Sequence, residues 1–396
     1  MIKQAVILAG GEGKRLKSFI ETPKPLIAIR SIPHICKLLI YLKLNGVSNV
    51  ILLVRLGQLR DYEHAIRDFD GSSYLPPVIK IVEEKEPQGT GGWILNNLQH
   101  LEDTFIAINA DTLYTENLFR FMAAAIESDS SMLIVNRKDP TRIDTGNVSI
   151  DSNDFVTRFE EKRFDTTSPY ESSGIYIFKN KDLTRLKSEQ SNVSLEKSVI
   201  PKLITYTRLK AGILLNPPHD YGTKDRFLVT QTGRLRDKPS WLFLDRDNTL
   251  TVDDAGYSHD HLLLERIKAL DPLLRGYQNS GFFLSIITNQ SGIGRGLFKM
   301  SQMNEYNEKL ISLLHEDGIY INNIEFCPHL PSANCLCRKP RTGMLDNINT
   351  FIGVNKQESI MVGDSDSDYL CASEFGISFL RFSFLRSRAD QINKNV

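Results

Sequence analysis

Two aspartates with the spacing of a phosphoryl-transfer pair follow an apolar stretch in the second half of the chain. Asp245 and Asp247 come directly after Trp241–Leu244. One carboxylate of such a pair can attack phosphorus while the other carries a proton to the leaving oxygen. An Asp-x-Asp pair alone is more often part of a solvated turn, so other motifs in the sequence must show whether this pair is catalytic. Three further polar segments favour a catalytic role for the pair: Thr288-Asn289-Gln290-Ser291-Gly292, Arg338-Lys339-Pro340 and Gly363-Asp364-Ser365-Asp366-Ser367-Asp368.

Four candidate metal ligands lie close together in the same half. One residue separates Cys327 from His329, and one separates Cys335 from Cys337. Three thiolates and one imidazole make a closed tetrahedral zinc site, whereas the alternative is a group of buried cysteines without a ligand. Because protein fills all four positions, the pattern predicts a structural zinc ion. This ion would order the loop that continues into Arg338-Lys339.

A glycine-rich turn near the N-terminus has the composition of a phosphate-binding loop. Three glycines and an arginine follow the apolar stretch Ala5–Ala9: Gly10, Gly11, Gly13 and Arg15. Glycines let backbone N–H groups approach a phosphate chain, and an arginine adds charge-assisted hydrogen bonds. In isolation, such a match is as often only a tight turn between a strand and a helix. Lys24, which two flanking prolines hold in an extended segment, supplies a second cation and supports the phosphate interpretation.

The apolar stretches before these groups are typical of strands buried on both faces of a parallel sheet. In chain order they are Ala5–Ala9, Val50–Val54, Phe105–Asn109, Trp241–Leu244, Phe282–Ile287 and Ser359–Val362. A helical pattern runs from Pro33 to about Asn45, and strands that alternate with helices predict an α/β fold. The alternating stretches Gly146–Ile150 and Ser173–Phe178 predict a mixed or antiparallel extension of the N-terminal sheet. Polar residues at the strand ends predict active sites beyond those ends.

A polar segment that closes with Pro-Ser divides the chain into two domains. We predict a linker over residues 233–240, between one domain over 1–232 and another over 241–396. Both parts have the size of ordinary domains. The predicted fold class is therefore α/β with two domains.

Composition narrows the functional classes. The 396 residues include 48 Lys+Arg and 48 Asp+Glu, so the formal net charge is zero. This balance gives no general attraction to nucleic acid or to an anionic membrane. No apolar run approaches the ~20 residues that cross a bilayer, and the N-terminus has no signal-peptide layout. We therefore expect a cytoplasmic protein with small-molecule substrates and no nucleic-acid or membrane partner; the sequence is also compatible with a homo-oligomer.

Residues 3–230 resemble the sugar-1-phosphate nucleotidyltransferases, whose motifs occur here in the same order. These motifs are the glycine loop, Pro23-Lys24-Pro25, Glu86-Pro87-Gln88-Gly89-Thr90-Gly91-Gly92, Asn109-Ala110-Asp111, Phe159-Glu160-Glu161-Lys162, Ser173-Gly174, Leu195-Glu196 and Asp220-Tyr221-Gly222-Thr223. The resemblance implies a Rossmann-like domain with a mixed sheet. In such a domain a sugar-phosphate oxygen attacks the α-phosphorus of a nucleoside triphosphate, and pyrophosphate leaves.

The same resemblance implies a role for each motif. Arg15 and Lys24 would be catalytic cations, and Asp111 with Asp220 would hold Mg²⁺. The nucleotide would contact Leu8, Gly10, Gly11, Gly13, Arg15, Gln88, Gly89 and Asp111. The sugar phosphate would contact Glu161, Lys162, Gly174 and Glu196.

Residues 241–382 resemble the haloacid dehalogenase (HAD)-like phosphatases, with a C-terminal HAD-like α/β sheet. The resemblance implies a nucleophile at Asp245, an acid/base at Asp247 and phosphate binding by Thr288 and Lys339. Mg²⁺ would be held by Asp245, by Asp364 and by the backbone carbonyl of Asp247. The zinc loop and its neighbours resemble the heptose-1,7-bisphosphate phosphatases, although the histidinol-phosphate phosphatases share most of the set. This subfamily implies substrate contacts from Asn289, Arg295 and Arg338.

Together the two resemblances imply a bifunctional enzyme of heptose activation. The phosphatase would remove the 7-phosphate of D-glycero-D-manno-heptose 1,7-bisphosphate. The transferase, most similar to the heptose-1-phosphate guanylyltransferases, would then couple heptose 1-phosphate to GTP, giving GDP-heptose and pyrophosphate. The glycine loop itself does not distinguish guanine from other bases.

Two alternatives stay open. One is a mannose- or other hexose-1-phosphate nucleotidyltransferase joined to a histidinol-phosphate-like or other sugar phosphatase. In the other, one domain is a catalytically silent binding module. The intact carboxylates of Asp111, Asp220, Asp245 and Asp247 argue against the silent module.

Overall fold

The structure is a computed structural model of the chain, and it divides into two compact units, Met1–Asp237 and Lys238–Val396. It describes residues 1–11, 20, 22–84, 86, 88–127, 129–137, 145–162, 167–186, 192–231, 238–254 and 256–383. Among these residues, no helix has both the length and the apolar character that a membrane span requires.

Short strands and helices alternate in the N-terminal unit. Its described strands are β1 (Gln4–Leu8), β2 (Ala28–Ile29), β3 (Ile32–Pro33), β4 (Asn49–Arg55), β5 (Val78–Glu84), β6 (Thr104–Asn109), β7 (Thr112–Leu113), β8 (Ser131–Asn136), β9 (Gly146–Ile150), β10 (Val156–Glu161), β11 (Tyr170–Lys179), β12 (Lys210–Ile213) and β13 (His219–Asp220). Its described helices are α1 (His34–Leu44), α2 (Leu59–Arg67), α3 (Gly89–Asn96), α4 (Phe119–Glu127), α5 (Asn180–Thr184), α6 (Ile200–Tyr206) and α7 (Lys224–Gln231). A π-helical turn covers Leu195–Val199.

The main sheet of this unit is mixed, which confirms the predicted fold class. Its described strands run in the order β10-β9-β11-β6-β1-β4-β5, and β8 joins β11 to β12. Strand β1 is parallel to β4 and β6, whereas β11 is antiparallel to β6, β8 and β9. Every residue of β1 is buried at the centre of the sheet, which explains its unbroken apolar sequence. The residues that follow β1 and β6 therefore lie at the same edge of the sheet.

A small ladder brings two distant aspartates together. Strand β7 pairs antiparallel with β13, and Asp220 lies opposite Thr112, the residue after Asp111. The buried carboxylate of Glu116 supports the chain just before β13, where its Oε2 accepts hydrogen bonds from the backbone N–H groups of residues 215 and 216, both at 2.7 Å. This local order determines where the Asp220 side chain lies relative to Asp111.

The C-terminal unit is an all-parallel sheet with helices between its strands. The described strands are β14 (Trp241–Leu244), β15 (Phe283–Asn289), β16 (Asn323–Cys327), β17 (Ile360–Gly363) and β18 (Ser378–Arg381), in the order β16-β15-β14-β17-β18. The described helices are α8 (Asp271–Asn279), α9 (Ser291–Gly294), α10 (Met300–Glu316), α11 (Gly343–Phe351) and α12 (Asp366–Phe375). Strand β14 is fully buried between β15 and β17. Asp245, Thr288 and Asp364 lie at the carboxyl ends of β14, β15 and β17, where parallel sheets carry their active sites.

Candidate active sites

A cavity of about 450 Å³ lies beside the ends of β1 and β6 in the N-terminal unit. It brings together most of the residues that the sequence assigns to the transferase site. The predicted residues that line it are Leu8, Gly11, Gly89, Asp111, Glu161, Lys162, Gly174, Glu196 and Asp220. Gly10, Lys24 and Gln88 are not among its described lining residues, and the predicted residues Gly13 and Arg15 lie outside the described part of the chain.

The Lys24 ammonium lies between the two predicted metal-binding carboxylates. Its Nζ is 2.9 Å from Asp111 Oδ2 and 3.2 Å from Asp220 Oδ1. Arg226 donates to the other oxygen of Asp220 at 2.7 Å, and the ring of Tyr221 lies 4.9 Å from Nζ. Two carboxylates that converge on one cation also form a donor set that suits Mg²⁺. These residues therefore fit the predicted ion, with Lys24 at the point of convergence.

Glu161, Lys162 and Glu196, which the sequence assigns to the sugar phosphate, also line the cavity, and we call this part of its lining the sugar end. Lys162 has the left-handed φ of 53°, and its Nζ lies 3.2 Å from Glu161 Oε1. Burial raises the pKa of Glu161, and the nearby Lys162 opposes this rise. Glu196 accepts hydrogen bonds at Oε2 from Thr90 Oγ1 at 3.0 Å and Ser194 Oγ at 3.2 Å. Two hydroxyls thus fix one oxygen of Glu196, a residue that lines the cavity.

Two glycines of the predicted site have conformations that exclude a side chain. Gly89 has φ +77°, and a Cβ there would lie 2.5 Å from the carbonyl oxygen of Val193. Gly174 has φ +79°, and a Cβ would lie 2.8 Å from Asn109 Nδ2. Both positions need glycine to keep the chain close to its neighbours. Gln88 has a local partner, because its Oε1 accepts a hydrogen bond from Asn96 Nδ2 at 2.9 Å.

The predicted phosphatase site is organised around a buried lysine. Lys339 Nζ donates to Asp245 Oδ1 at 2.5 Å and to the carbonyl oxygen of Ile287 at 2.7 Å. It also lies 2.6 Å from Asp368 Oδ1 in an ion pair. Burial raises the pKa of Asp245, and the Lys339 ammonium opposes this rise. Burial alone would lower the pKa of Lys339, but Asp245 and Asp368 raise it above its usual value, so the lysine stays charged.

Three carboxylates in this unit can hold a metal ion. Oxygens of Asp245, Asp364 and Asp368 all lie within 4.8 Å of one another. Carboxylate oxygens are the ligands that a divalent cation such as Mg²⁺ prefers, and the Lys339 ammonium lies beside two of the three carboxylates. Asp368 was not assigned from the sequence, whereas Asp247 was. The Asp247 side chain is not in this described carboxylate cluster, and the role of its backbone carbonyl stays a prediction.

Buried polar groups fix the side chain of Asp247. Arg246, whose side chain is 0% exposed, donates from Nε to Asp247 Oδ1 at 2.8 Å. Gln290 Nε2 donates to Asp247 Oδ2 and to Thr288 Oγ1, each at 2.8 Å. Sequence reasoning assigned no role to Arg246 or Gln290, although both stand within the quoted motifs. Their hydrogen bonds link the acid/base candidate to the phosphate-binding candidate.

The three predicted substrate contacts of this unit have different surroundings. Asn289 exchanges two hydrogen bonds with the backbone of Lys339, at 3.1 and 3.0 Å, and so positions that lysine. The Nη1 atom of Arg338 is buried and has no hydrogen-bond partner in the described chain. This guanidinium is therefore available to bind an anionic ligand. Arg295 is exposed, and its guanidinium lies 5.8 Å from the ring of Tyr257.

The four predicted zinc ligands meet in one cluster. Their Sγ and Nδ1 atoms are separated by 3.6 Å (Cys327–His329), 3.5 Å (Cys327–Cys335), 3.3 Å (His329–Cys337) and 3.5 Å (Cys335–Cys337). Sulfur ligands about 2.3 Å from a tetrahedral zinc ion lie roughly 3.8 Å apart. All three thiols are free rather than disulfide-bonded. The cluster therefore fits a closed metal site.

Comparison with protein families identifies enzymes at both ends of the chain. The nucleotidyl transferase family matches residues 4–233, over half of the chain, and the HAD-hydrolase-like family matches residues 336–381. A probable D-glycero-D-manno-heptose-1,7-bisphosphate 7-phosphatase from Thermoplasma volcanium is 43% identical over 123 residues, 31% of this chain and 84% of the relative. The histidine biosynthesis bifunctional protein HisB from Legionella pneumophila (strain Lens) is 36% identical over 145 residues, 36% of this chain and 41% of the relative.

A solved structure resembles the N-terminal part of the chain. HddC from Yersinia pseudotuberculosis is 29% identical, with a TM-score of 0.51, and the match covers 58% of this chain and 99% of HddC. A second structure of HddC, in complex with GMP-PN, is 28% identical with a TM-score of 0.50 and covers the same shares of the two chains. The likeness therefore spans nearly the whole of that protein.

Proposed function

The chain belongs to the nucleotidyl transferase family through residues 4–233, and from this premise we propose that it is a bifunctional enzyme of nucleotide-activated heptose synthesis. The C-terminal unit removes the 7-phosphate of D-glycero-D-manno-heptose 1,7-bisphosphate, and the N-terminal unit couples the resulting heptose 1-phosphate to GTP. One observation carries the proposal: each compact unit has its own site in which a lysine joins two carboxylates. These sites are Asp111–Lys24–Asp220 and Asp245–Lys339–Asp368.

The relatives support the choice of substrates. The Thermoplasma protein is named for the bisphosphate and its 7-phosphate, and 84% of it aligns with this chain. HddC was solved with GMP-PN, which favours a guanine nucleotide for the N-terminal cavity. The product of the first reaction is then the substrate of the second, which gives a reason for one chain to carry both.

In the transferase, the residues of this chain align two polyanions. Lys24 provides a cation beside Asp111 and Asp220, and Lys162 provides one at the sugar end, while Glu161 and Glu196 accept hydrogen bonds from sugar hydroxyls. The sugar-phosphate oxygen forms the new bond to the α-phosphorus as the bond to pyrophosphate breaks. Little covalent chemistry falls to the protein, so alignment and charge neutralisation account for most of the rate.

In the phosphatase, Asp245 attacks the phosphorus of the 7-phosphate and forms an aspartyl phosphate. Asp247 gives a proton to the departing sugar oxygen. It then takes a proton from the water that attacks the aspartyl phosphate, so inorganic phosphate leaves and both carboxylates return to their starting state. Lys339 and Thr288 hold the phosphate oxygens, and Arg246 with Gln290 keeps Asp247 oriented.

We assign Mg²⁺ to the carboxylates of both units and Zn²⁺ to the cysteine–histidine cluster. Mg²⁺, when bound, lowers the repulsion between carboxylates and phosphate. Asp111 and Asp220 would hold it in one unit, and Asp245, Asp364 and Asp368 in the other. Zinc would order the loop before Arg338 and Lys339. Free thiols and nucleotide substrates favour the cytoplasm as the compartment.

One incubation tests this function. The protein is given heptose 1,7-bisphosphate and, in separate reactions, each of four nucleoside triphosphates, and the products are resolved by mass. We expect inorganic phosphate in every reaction and GDP-heptose only with GTP. A nucleotide sugar formed faster from another triphosphate, or no phosphate release, would overturn the assignment.

Histidinol phosphate is a second candidate for the phosphatase, because HisB is 36% identical over 145 residues. The ratio of kcat/KM for the two phosphate esters distinguishes the candidates. We expect the heptose bisphosphate to be preferred by at least tenfold.

A further inference from the structure

One buried hydroxyl in the transferase cavity lacks a hydrogen-bond partner among the residues that the structure describes. Thr145 lines the cavity, and its Oγ1 is buried without a hydrogen-bond partner in the described chain. An unpaired buried hydroxyl weakens the folded state, and native proteins keep few such groups. A hydroxyl that stays unpaired beside a ligand cavity is therefore a candidate contact for the ligand.

The surroundings of Thr145 hold it at the sugar end of the cavity. Its carbonyl oxygen accepts a hydrogen bond from the backbone N–H of Lys162 at 3.0 Å. The next residue, Gly146, lies opposite Glu161 in the β9–β10 pair. A Cβ on Gly146 would lie 2.6 Å from the ring of Phe159, so no side chain extends from that position. Thr145 is thus fixed beside both Glu161 and Lys162.

The chemistry of this end of the cavity favours a polyhydroxyl ligand. The carboxylates of Glu161, Glu171 and Glu196 line the cavity together with Lys162 and Lys197. Carboxylates accept hydrogen bonds from hydroxyls but repel phosphate oxygens. A threonine hydroxyl both donates and accepts, as a sugar hydroxyl does. The combination suits the sugar ring, with the two lysines available to its phosphate.

We propose that Thr145 is a specificity-determining residue of the transferase, whose hydroxyl hydrogen-bonds a hydroxyl of the sugar 1-phosphate. The assignment rests on the proposed transferase function. Thr145→Val keeps the shape of the side chain and removes the hydroxyl. The proposal predicts that this change has opposite effects on folding stability and on sugar binding. The free protein keeps or gains thermal stability, while the KM for sugar 1-phosphate rises about tenfold, the value of one hydrogen bond. The KM for GTP stays unchanged.

Two further variants make the test specific. Thr145→Ser keeps the hydroxyl and should keep a KM close to that of the wild type. Thr157→Val is the matched control, because Thr157 lies exposed on β10 and donates to the Ser149 carbonyl oxygen at 3.2 Å, outside the cavity lining. Melting temperatures are measured by scanning calorimetry, and the KM values for heptose 1-phosphate and GTP by pyrophosphate release. Loss of stability in Thr145→Val without a rise in the sugar KM would overturn the proposal, because the hydroxyl would then be structural.

A thermal-shift panel separates this proposal from the proposed function. Heptose, mannose and glucose 1-phosphates and inorganic phosphate are added to the wild type and to Thr145→Val. If heptose 1-phosphate is not a substrate, the proposed function is wrong. The role of Thr145 can still hold, and any sugar 1-phosphate that stabilises the wild type should then stabilise Thr145→Val less. Inorganic phosphate should stabilise both equally. The sugar contact is contradicted if Thr145→Val reduces the thermal shift with inorganic phosphate as much as the shift with a sugar 1-phosphate. It is also contradicted if no sugar 1-phosphate raises the melting temperature of the wild type.

Discussion

Replacement of Lys24 by methionine should tighten the binding of a divalent cation in the N-terminal unit while it removes activity. The Lys24 ammonium lies where the carboxylates of Asp111 and Asp220 converge, at 2.9 and 3.2 Å. An ammonium and a metal ion cannot occupy that point together. In the absence of substrates the lysine therefore competes with the ion for the same oxygens.

The structure gives the size of this competition. At about 3 Å, a pair of unit charges interacts by roughly 5 kcal/mol at an effective dielectric constant of 20. Asp111 is 47% exposed and Asp220 20%, so solvent reduces each pair to about 1 kcal/mol or less. Because ~1.4 kcal/mol corresponds to a factor of ten, we expect metal binding to tighten roughly tenfold. Transferase kcat should fall by about 10² or more, since the phosphates lose a cation.

The assay is titration of metal-stripped protein with Mn²⁺, followed by electron paramagnetic resonance. All variants carry Asp364→Asn so that the carboxylate cluster of the phosphatase contributes little. Lys181→Met is the control, because Lys181 is 69% exposed and pairs only loosely, at 3.8 Å, with Asp129. Unchanged or weaker Mn²⁺ binding in Lys24→Met would refute the competition and the placement of the ion between Asp111 and Asp220.

Three further predictions concern the two units separately. Asp245→Asn should abolish phosphate release and leave pyrophosphate release from GTP and heptose 1-phosphate within about twofold of the wild type; parallel loss of both activities in folded protein would contradict independent sites. Cys335→Ser should lower the melting temperature of the C-terminal unit by about 5 °C or more and leave transferase activity unchanged. Elemental analysis should show that the variant has lost its zinc. Wild-type protein that contains no zinc would contradict this interpretation. Asp245→Asn protein given GTP and heptose 1,7-bisphosphate should release almost no pyrophosphate, because Glu161 and Glu196 line the sugar end and repel a second phosphate; rapid formation of a GDP-heptose 7-phosphate would contradict that order.

The strands that carry the chemistry were predictable because burial on both faces leaves a clear signal. Trp241–Leu244 is β14 as predicted, and Gly146–Ile150 is β9 as predicted. The half-buried strand Val78–Glu84 escaped prediction, since its exposed and partly buried residues give no continuous apolar run. The same holds for Asn323–Cys327, the strand that delivers Cys327 to the metal cluster.

Asp368 shows why a motif does not determine which of its carboxylates face inward. The sequence offers Asp364, Asp366 and Asp368 at alternate positions, and nothing in that spacing separates them. Helix α12 begins at Asp366, so the first helical turn directs Asp368 inward at 0% exposure and leaves Asp366 at 86%. Only the register of this helix against β17 decides between the two residues.

Contacts between distant segments could not be predicted from the sequence for a similar reason. Lys24, Asp111 and Asp220 could each be named from a motif, but the meeting of Lys24 with both carboxylates depends on the β7–β13 ladder. Likewise, the unpaired hydroxyl of Thr145 has no sequence signal, because threonine is common in strands and their turns. The candidate chemistry was thus predictable from motifs, while its geometry required the fold.

The most direct test of two sites acting in series is the ratio of the two phosphorus products. The wild-type protein is given GTP and heptose 1,7-bisphosphate, and inorganic phosphate, pyrophosphate and GDP-heptose are measured over time in one reaction. Two sites in series predict inorganic phosphate first, then pyrophosphate and GDP-heptose in equal amounts, approaching one pyrophosphate for each inorganic phosphate. Pyrophosphate that appears before or without inorganic phosphate, or inorganic phosphate release with no GDP-heptose, would contradict the account.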